Sequence, residues 1–169
     1  VDPYNAIVEN DETNNTTSLP ITIVEPNLPE LNIQNAAALP IISSVGDSIH
    51  MSAVIHNTGN QDAPSFGFEC YLSLNSVWDN SDVLIYNYWD GMTSSDTMME
   101  QTYAIASLNQ SDSIPLSKIV RTPMNLIPGN YYLLLVVDPN SQIDEIDEQN
   151  NVFAISIQLN NGVDVPIAD

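Results

Sequence analysis

The chain has 169 residues, 43% of them apolar, which suffices for one substantial core and leaves little for a second. Two Lys and Arg stand against 22 Asp and Glu, a formal charge of −20 that excludes nucleic acid and anionic membranes as partners, since both need clustered cations. No run approaches the roughly 18 to 20 consecutive apolar residues of a membrane span, and the first residues show no basic stretch leading into an apolar one.

Period-two alternation recurs along the chain and no window holds a helical stripe, so an all-β protein is expected. In chain order, Leu31-Asn32-Ile33 opens a domain. Ser48 to Asn57 follows with Ile49, Met51, Ala53 and Ile55 facing inward, then Phe66 to Ser73 and Val83 to Tyr88. Further strands are read at Glu100 to Ser107, Ser113 to Val120, Tyr131 to Val137 and Val152 to Leu159. Between them lie Asn57-Thr58-Gly59-Asn60, Asp79-Asn80-Ser81-Asp82, Trp89-Asp90-Gly91 and Pro128-Gly129-Asn130, all of them turn chemistry. Seven to eight short strands at this spacing predict an antiparallel β-sandwich of immunoglobulin or fibronectin III type.

An internal repeat organises the chain. Val1 to Asn15 aligns without gaps on Val137 to Asn151, nine of fifteen positions being identical at an offset of 136. Each copy runs into an alternating strand, Leu19-Ile21-Ile23 in one and Ile155-Ile157-Leu159 in the other. An offset of one sandwich domain makes residues 1–25 the closing loop and strand of a preceding repeat plus a linker. The domain proper then covers 26–160, and 161–169 is a linker or the start of the next repeat. Val24-Glu25-Pro26-Asn27-Leu28-Pro29, with its two prolines, is a short stiff connector. The orphaned strand carries an apolar face and unpaired backbone groups, so Leu19, Ile21 and Ile23 are expected to add to a neighbouring repeat or to another copy of the chain.

Several motifs in order make residues 26 to 160 resemble the CARDB family, the cell-adhesion-related domain found in bacteria. Val45-Gly46-Asp47-Ser48-Ile49 leads into the second strand, and Val54-Ile55-His56-Asn57-Thr58-Gly59-Asn60 is similar to the family's hydrophobic-x-N-x-G turn. Tyr71-Leu72-Ser73 with Asp79 to Leu84, Pro128-Gly129-Asn130-Tyr131-Tyr132-Leu133, and Ile143 to Asn151 supply the rest. The section from Tyr86 to Ser111 is longer than the family pattern. The resemblance implies an immunoglobulin-like sandwich in an extracellular or cell-surface protein, adhesive or structural, and no catalytic residues.

Side chains that could carry chemistry are few. A thiolate nucleophile at Cys70 would need a base, and Phe66, Phe68, Cys70 and Leu72 share one strand face, which reads as core. His50 and His56 lie on the outward face of one strand. Asp138, Asp144, Glu145, Asp147, Glu148 and Asn150 gather hard oxygen donors in one loop, a candidate Ca²⁺ site, although nothing matches a helix-loop-helix pattern. In the structural alternative, Asn150 and Asn151 cap and brace that loop through side-chain to backbone bonds while its acids face water. Asp79 and Asp82 form a second, smaller oxygen cluster, which also reads as a tight turn. Trp78, Trp89, Tyr86 and Tyr88 could stack on sugar rings or pack within the fold. Asp47-Ser48-Ile49, Asp96-Thr97-Met98 and Asp112-Ser113-Ile114 match a bacterial O-glycan acceptor pattern, making Ser48, Thr97 and Ser113 candidate modification sites. The expected function is a non-enzymatic structural or adhesive module of a tandem array that needs no cofactor, Ca²⁺ being the one candidate. The alternative is a glycan- or protein-binding accessory module.

Overall fold

In the computed structural model, residue 4 and residues 6–24, 26–85, 87–88 and 103–161 are described. A short 3-10 turn, Glu12–Asn14, precedes ten strands. These are β1 (Leu31–Leu39), β2 (Ile42–Ser44), β3 (Ser48–Asn57), β4 (Phe66–Ser73), β5 (Val83–Leu84), β6 (Asn87–Tyr88), β7 (Tyr103–Ile105), β8 (Ser113–Arg121), β9 (Gly129–Val137) and β10 (Val152–Asn160). They form an all-β sandwich. One sheet has the order β1-β3-β8-β6, and the other β2-β10-β9-β4-β5 with β7 paired to β4.

The core follows from alternation. On β3 the odd residues Ile49, Met51, Ala53 and Ile55 are buried, and on β4 Phe66, Phe68, Cys70 and Leu72 meet them from the facing sheet. Leu133, Leu135 and Val137 of β9 and Ile157 and Leu159 of β10 complete the layer. Fully burying a side chain such as Phe68 or Leu133 stabilises the fold by roughly 1.5–3 kcal/mol. The opposite face of the second sheet is also partly covered. Leu134 and Val136 are buried there beside Tyr71 and Glu69, their partners in register.

One pairing departs from the antiparallel expectation. After β1 the chain leaves its sheet through the cis Leu39–Pro40 bond, and β2 joins β10 in parallel, Gln158 lying opposite Ile42. No alternation announced β2, because three residues are too few to show a period. A bulge between Gln34 and Ala37, with Asn35 in the left-handed region at φ 52°, lets β1 bend towards that crossing. The strand read from Val83 to Tyr88 is divided between β5 and β6, which belong to different sheets. Of the strand read from Glu100 to Ser107, Tyr103–Ile105 is observed and Glu100 to Thr102 lie outside the described residues.

The segment from Thr16 to Val24 forms no strand in this chain, although Leu19, Ile21 and Ile23 alternate. All three side chains are exposed. Deleting residues 1–23 is therefore expected to leave the melting temperature of the sandwich unchanged. A scanning-calorimetry comparison with the full chain checks this, and a lost or sharply lowered transition would show that the segment is part of the domain.

Candidate functional site

The side chains that do most at a distance gather where the connector enters the sandwich. Asn57, the last residue of β3, is buried and satisfied on every side. Its Oδ1 accepts from the main-chain N–H of Glu30 and of Gly59, both at 3.1 Å. Its Nδ2 donates to Gln61 O at 2.7 Å and to Leu108 O at 3.0 Å. One amide thus fixes the connector, the turn after β3 and the loop before β8. Thr58 N–H donates to Glu30 O (2.7 Å) and Asn60 N–H to Leu28 O (3.1 Å), so turn and connector lie backbone to backbone. Gly59 is required by that approach, since a Cβ there would stand 2.4 Å from Leu28 O and 2.6 Å from Glu30 N.

The loop from Asp138 to Asn151 closes over the same end. Asp138 takes a positive φ of 42°, and its Oδ2 accepts from Ile143 N–H at 2.8 Å, which turns the Ile143 side chain into the core. Two glutamates then join loop to connector. Glu145 accepts from Leu31 N–H (2.5 Å) and from Asn151 Nδ2 (2.9 Å). Glu30 accepts from Asp147 N–H (2.8 Å) and from Asn150 Nδ2. Within the loop, Glu148 receives Glu145 N–H at 3.0 Å and Asp147 receives Gln149 N–H at 2.9 Å.

Electrostatically this clasp is unbalanced. The Glu145 carboxyl is pushed up to about 7, chiefly by burial and also by the nearby Glu148 and Glu30 carboxylates, with its two hydrogen bonds acting in the opposite direction. The Oδ1 atoms of Asn150 and Asn151 are buried without a hydrogen-bond partner among the described residues.

The candidate cation ligands are thus placed individually. Asp138 and Glu145 are buried and hold main-chain amides, so the expectation that the loop acids face water is corrected for these two. Asp144 is exposed. Among the described residues no three acid, His or Cys side chains group as a metal site would require. Asn150 and Asn151 brace the loop through their side chains, but their acceptors are the carboxylates of Glu30 and Glu145 and not the expected backbone groups.

The second oxygen cluster is a tight turn. Asp79 N–H donates to Asp82 Oδ2 (2.8 Å) and Ser81 N–H to Asp79 Oδ1 (2.7 Å); the Ser81 bonds hold the Asp79 carboxyl below its ordinary value. Trp78 is half-buried against Tyr71, ring centroids 5.6 Å apart and tilted by 55°, and the Tyr71 hydroxyl donates to Glu69. That pair lies outside the core between the sheets. Tyr86 and Trp89 lie outside the described residues, as does the side chain of Tyr88. Ser48 and Ser113 are exposed at the first positions of β3 and β8; Thr97 lies outside the described residues. Cys70 is buried, and burial raises its thiol pKa far above the ordinary range, which opposes nucleophilic use. Lys118 projects into the sandwich with its ammonium 3.6 Å from the centroid of the Tyr103 ring.

The CARDB family model matches residues 28–155, most of the chain and all of the junction just described. The chain belongs to the CARDB family. This CARDB domain is similar in fold to a CARDB domain of Pyrococcus furiosus solved in complex with di-metal ions: TM-score 0.55, 18% identity, covering 86% of this chain and all of that one. A solution structure of the Pyrococcus domain gives a TM-score of 0.54 at 19% identity, covering 79% of this chain and 97% of that one. A domain assigned to a cell-surface protein of Methanosarcina acetivorans follows at 0.48 and 19%, covering 80% of this chain and 95% of that one. No curated protein sequence matches the chain.

The long-range bonds of the CARDB junction escaped the sequence reading. Glu30 meets partners 117 and 120 residues away, and no local pattern marks such an acceptor. Asn57 was visible as a turn residue, but its bond to Leu108 spans 51 positions.

Proposed function

We propose that the chain is one repeat, with the closing segment of another before it, from a tandem array in a secreted or cell-surface protein, and that it acts as a non-catalytic spacer. The observation that carries this is a contrast between equivalent positions. Ile143, Ile157 and Leu159 are 4%, 2% and 1% exposed, whereas their counterparts Ile7, Ile21 and Ile23 are 65%, 82% and 88% exposed. The local turn nevertheless recurs in both copies, Thr13 N–H donating to Asp11 Oδ1 as Gln149 N–H donates to Asp147 Oδ1, each at 2.9 Å. The first segment therefore carries the sequence of a closing loop and strand and keeps the loop's turn, without the core that a preceding domain would supply.

The clasp supports a spacer because it fixes the direction in which the connector meets the sandwich: Pro29, Glu30 and Leu31 are buried, and Glu30 and Leu31 are bonded to both the β3 turn and the last loop. The reading of the parent gene tests the array. Further copies at a spacing near 136 residues are expected, and a parent with a single CARDB domain would overturn it.

In this reading the loop needs no cation, since its carboxylates already hold main-chain and side-chain amides. Melting curves in millimolar Ca²⁺ and in excess EDTA are expected to coincide. A site loaded only in the folded state would instead raise the melting temperature with Ca²⁺ concentration.

A further inference from the structure

The two ends of the sandwich differ in chemistry. The connector enters at the end that holds the turn after β3, the loop before β8 and the loop from Asp138 to Asn151. The chain leaves at the other end, where β10 finishes beside the β1–β2 corner, the loop after β4 and the loop before β9. The leaving end carries the exposed apolar surface: Leu39, Ile41 and Ile42 on the corner, Leu74 and Val77 after β4, Met124 and Ile127 before β9. A cleft of about 200 Å³ opens there, its apolar wall formed by Leu72, Leu74, Val83, Leu126 and Tyr131 and its rim by Asn75, Ser81 and Asp82. At the entering end of the sandwich the exposed large apolar side chain among the described residues is Ile146, set among the acids Asp62, Asp112, Asp144, Asp147 and Glu148.

An exposed apolar surface of this extent on one end of a highly charged domain marks a contact site. We infer that the leaving end of one repeat is the docking surface for the entering end of the next, with Val24 to Leu28 and Ile146 of the following copy lying on Ile41, Leu74, Met124 and Ile127. This rests on the tandem reading above and names the surface that joins its members.

Three observations select that occupant. Ile23 aligns with Leu159, the last core residue of β10, and Pro29 is already buried in the following domain. Six residue steps separate them, a reach of at most about 20 Å, so successive domains are held nearly end to end. The connector is itself apolar where it crosses this gap, with Val24 exposed and Leu28 half-buried. Charge also favours this polarity. Two entering ends would oppose acid to acid with no cation between them, whereas the leaving end sets Arg121, one of the two cations in the chain, among Asp47, Asp79 and Asp82.

Single-cysteine variants of the full chain test the contact, Cys70 being buried and out of reach of an oxidant. Ile127→Cys and Ile146→Cys, both at exposed positions, are mixed at high concentration in physiological salt and oxidised gently. Disulfide heterodimers are expected in excess of the twofold statistical advantage over either homodimer, and adding Met124→Asp to the Ile127→Cys chain should remove that excess. Predominance of the Ile127→Cys homodimer would replace the head-to-tail contact with a face-to-face one. No dimer above the wild-type background would overturn docking altogether. The array stands or falls separately on the parent gene, whatever the cross-linking shows.

Discussion

Replacing Asn57 with alanine is expected to cost about 3–5 kcal/mol of folding stability, because two buried N–H groups and two carbonyls lose their partner at once. The donors are those of Glu30 and Gly59, and the acceptors are Gln61 O and Leu108 O. They belong to three different stretches of chain, so the loss loosens the connector, the β3 turn and the loop before β8 together. Asn57→Asp should be nearly as damaging, since the lost amide leaves both carbonyls unpaired and sets a carboxylate oxygen facing them. Gly59→Ala tests the same contact from the other side. Its Cβ would collide with main-chain atoms at 2.4 to 2.6 Å, and no side chain is available to yield. Urea unfolding measures all three. Midpoints lowered at unchanged slope are expected, and a loss below about 1 kcal/mol for Asn57→Ala would show that water replaces the amide and that the hub is dispensable.

The sandwich was legible in the sequence because burial on one face imposes a period of two, and β3, β8 and β10 are long enough to display it, while β9, covered on both faces, reads as a continuous apolar run. The core face of β4 was legible for the same reason, through Phe66, Phe68, Cys70 and Leu72. Short elements were not. β2 pairs over three residues, and β5 and β6 over two each, so their places are set by the sheet edges available and not by their own pattern. The loop after β9 was read correctly as a concentration of oxygen atoms, but their direction was not readable. Whether a carboxylate faces solvent, a cation or an amide depends on what the fold brings opposite it. For Asp138 that is Ile143 N–H, five residues on; for Glu145 it is Leu31 N–H, 114 residues back. The repeat, by contrast, was visible in full, and it gives the exposed Ile7, Ile21 and Ile23 a physical meaning that the coordinates of one domain would not.

Lowering the pH from 8 to 5 is expected to stabilise the domain through Glu145, against the usual behaviour of paired carboxylates. The folded value is about 7 and the ordinary one 4.5, so between these limits the native state holds a proton that the unfolded chain has released. Stability from this group is therefore fully present below about 4.5 and is lost as pH rises through about 7, after which it is flat. At 1.36 kcal/mol per pKa unit the ceiling on the swing is roughly 3–4 kcal/mol, and solvent screening holds the effect below it. Glu30 and Glu148 face the same carboxyl and add to the direction by repulsion, whereas Asp11 and Asp79, whose values are lowered, act only at lower pH. Glu145→Gln isolates the effect. The amide oxygen can still accept from Leu31 N–H, and the orphaned Oδ1 of Asn151 becomes an acceptor for the new amide N–H once the asparagine turns over. This variant should melt above wild type at pH 8, match it near pH 5 and show little slope between. If it proves less stable than wild type at pH 8, the ionised carboxylate is held favourably by its two amides, and burial is not what governs the clasp.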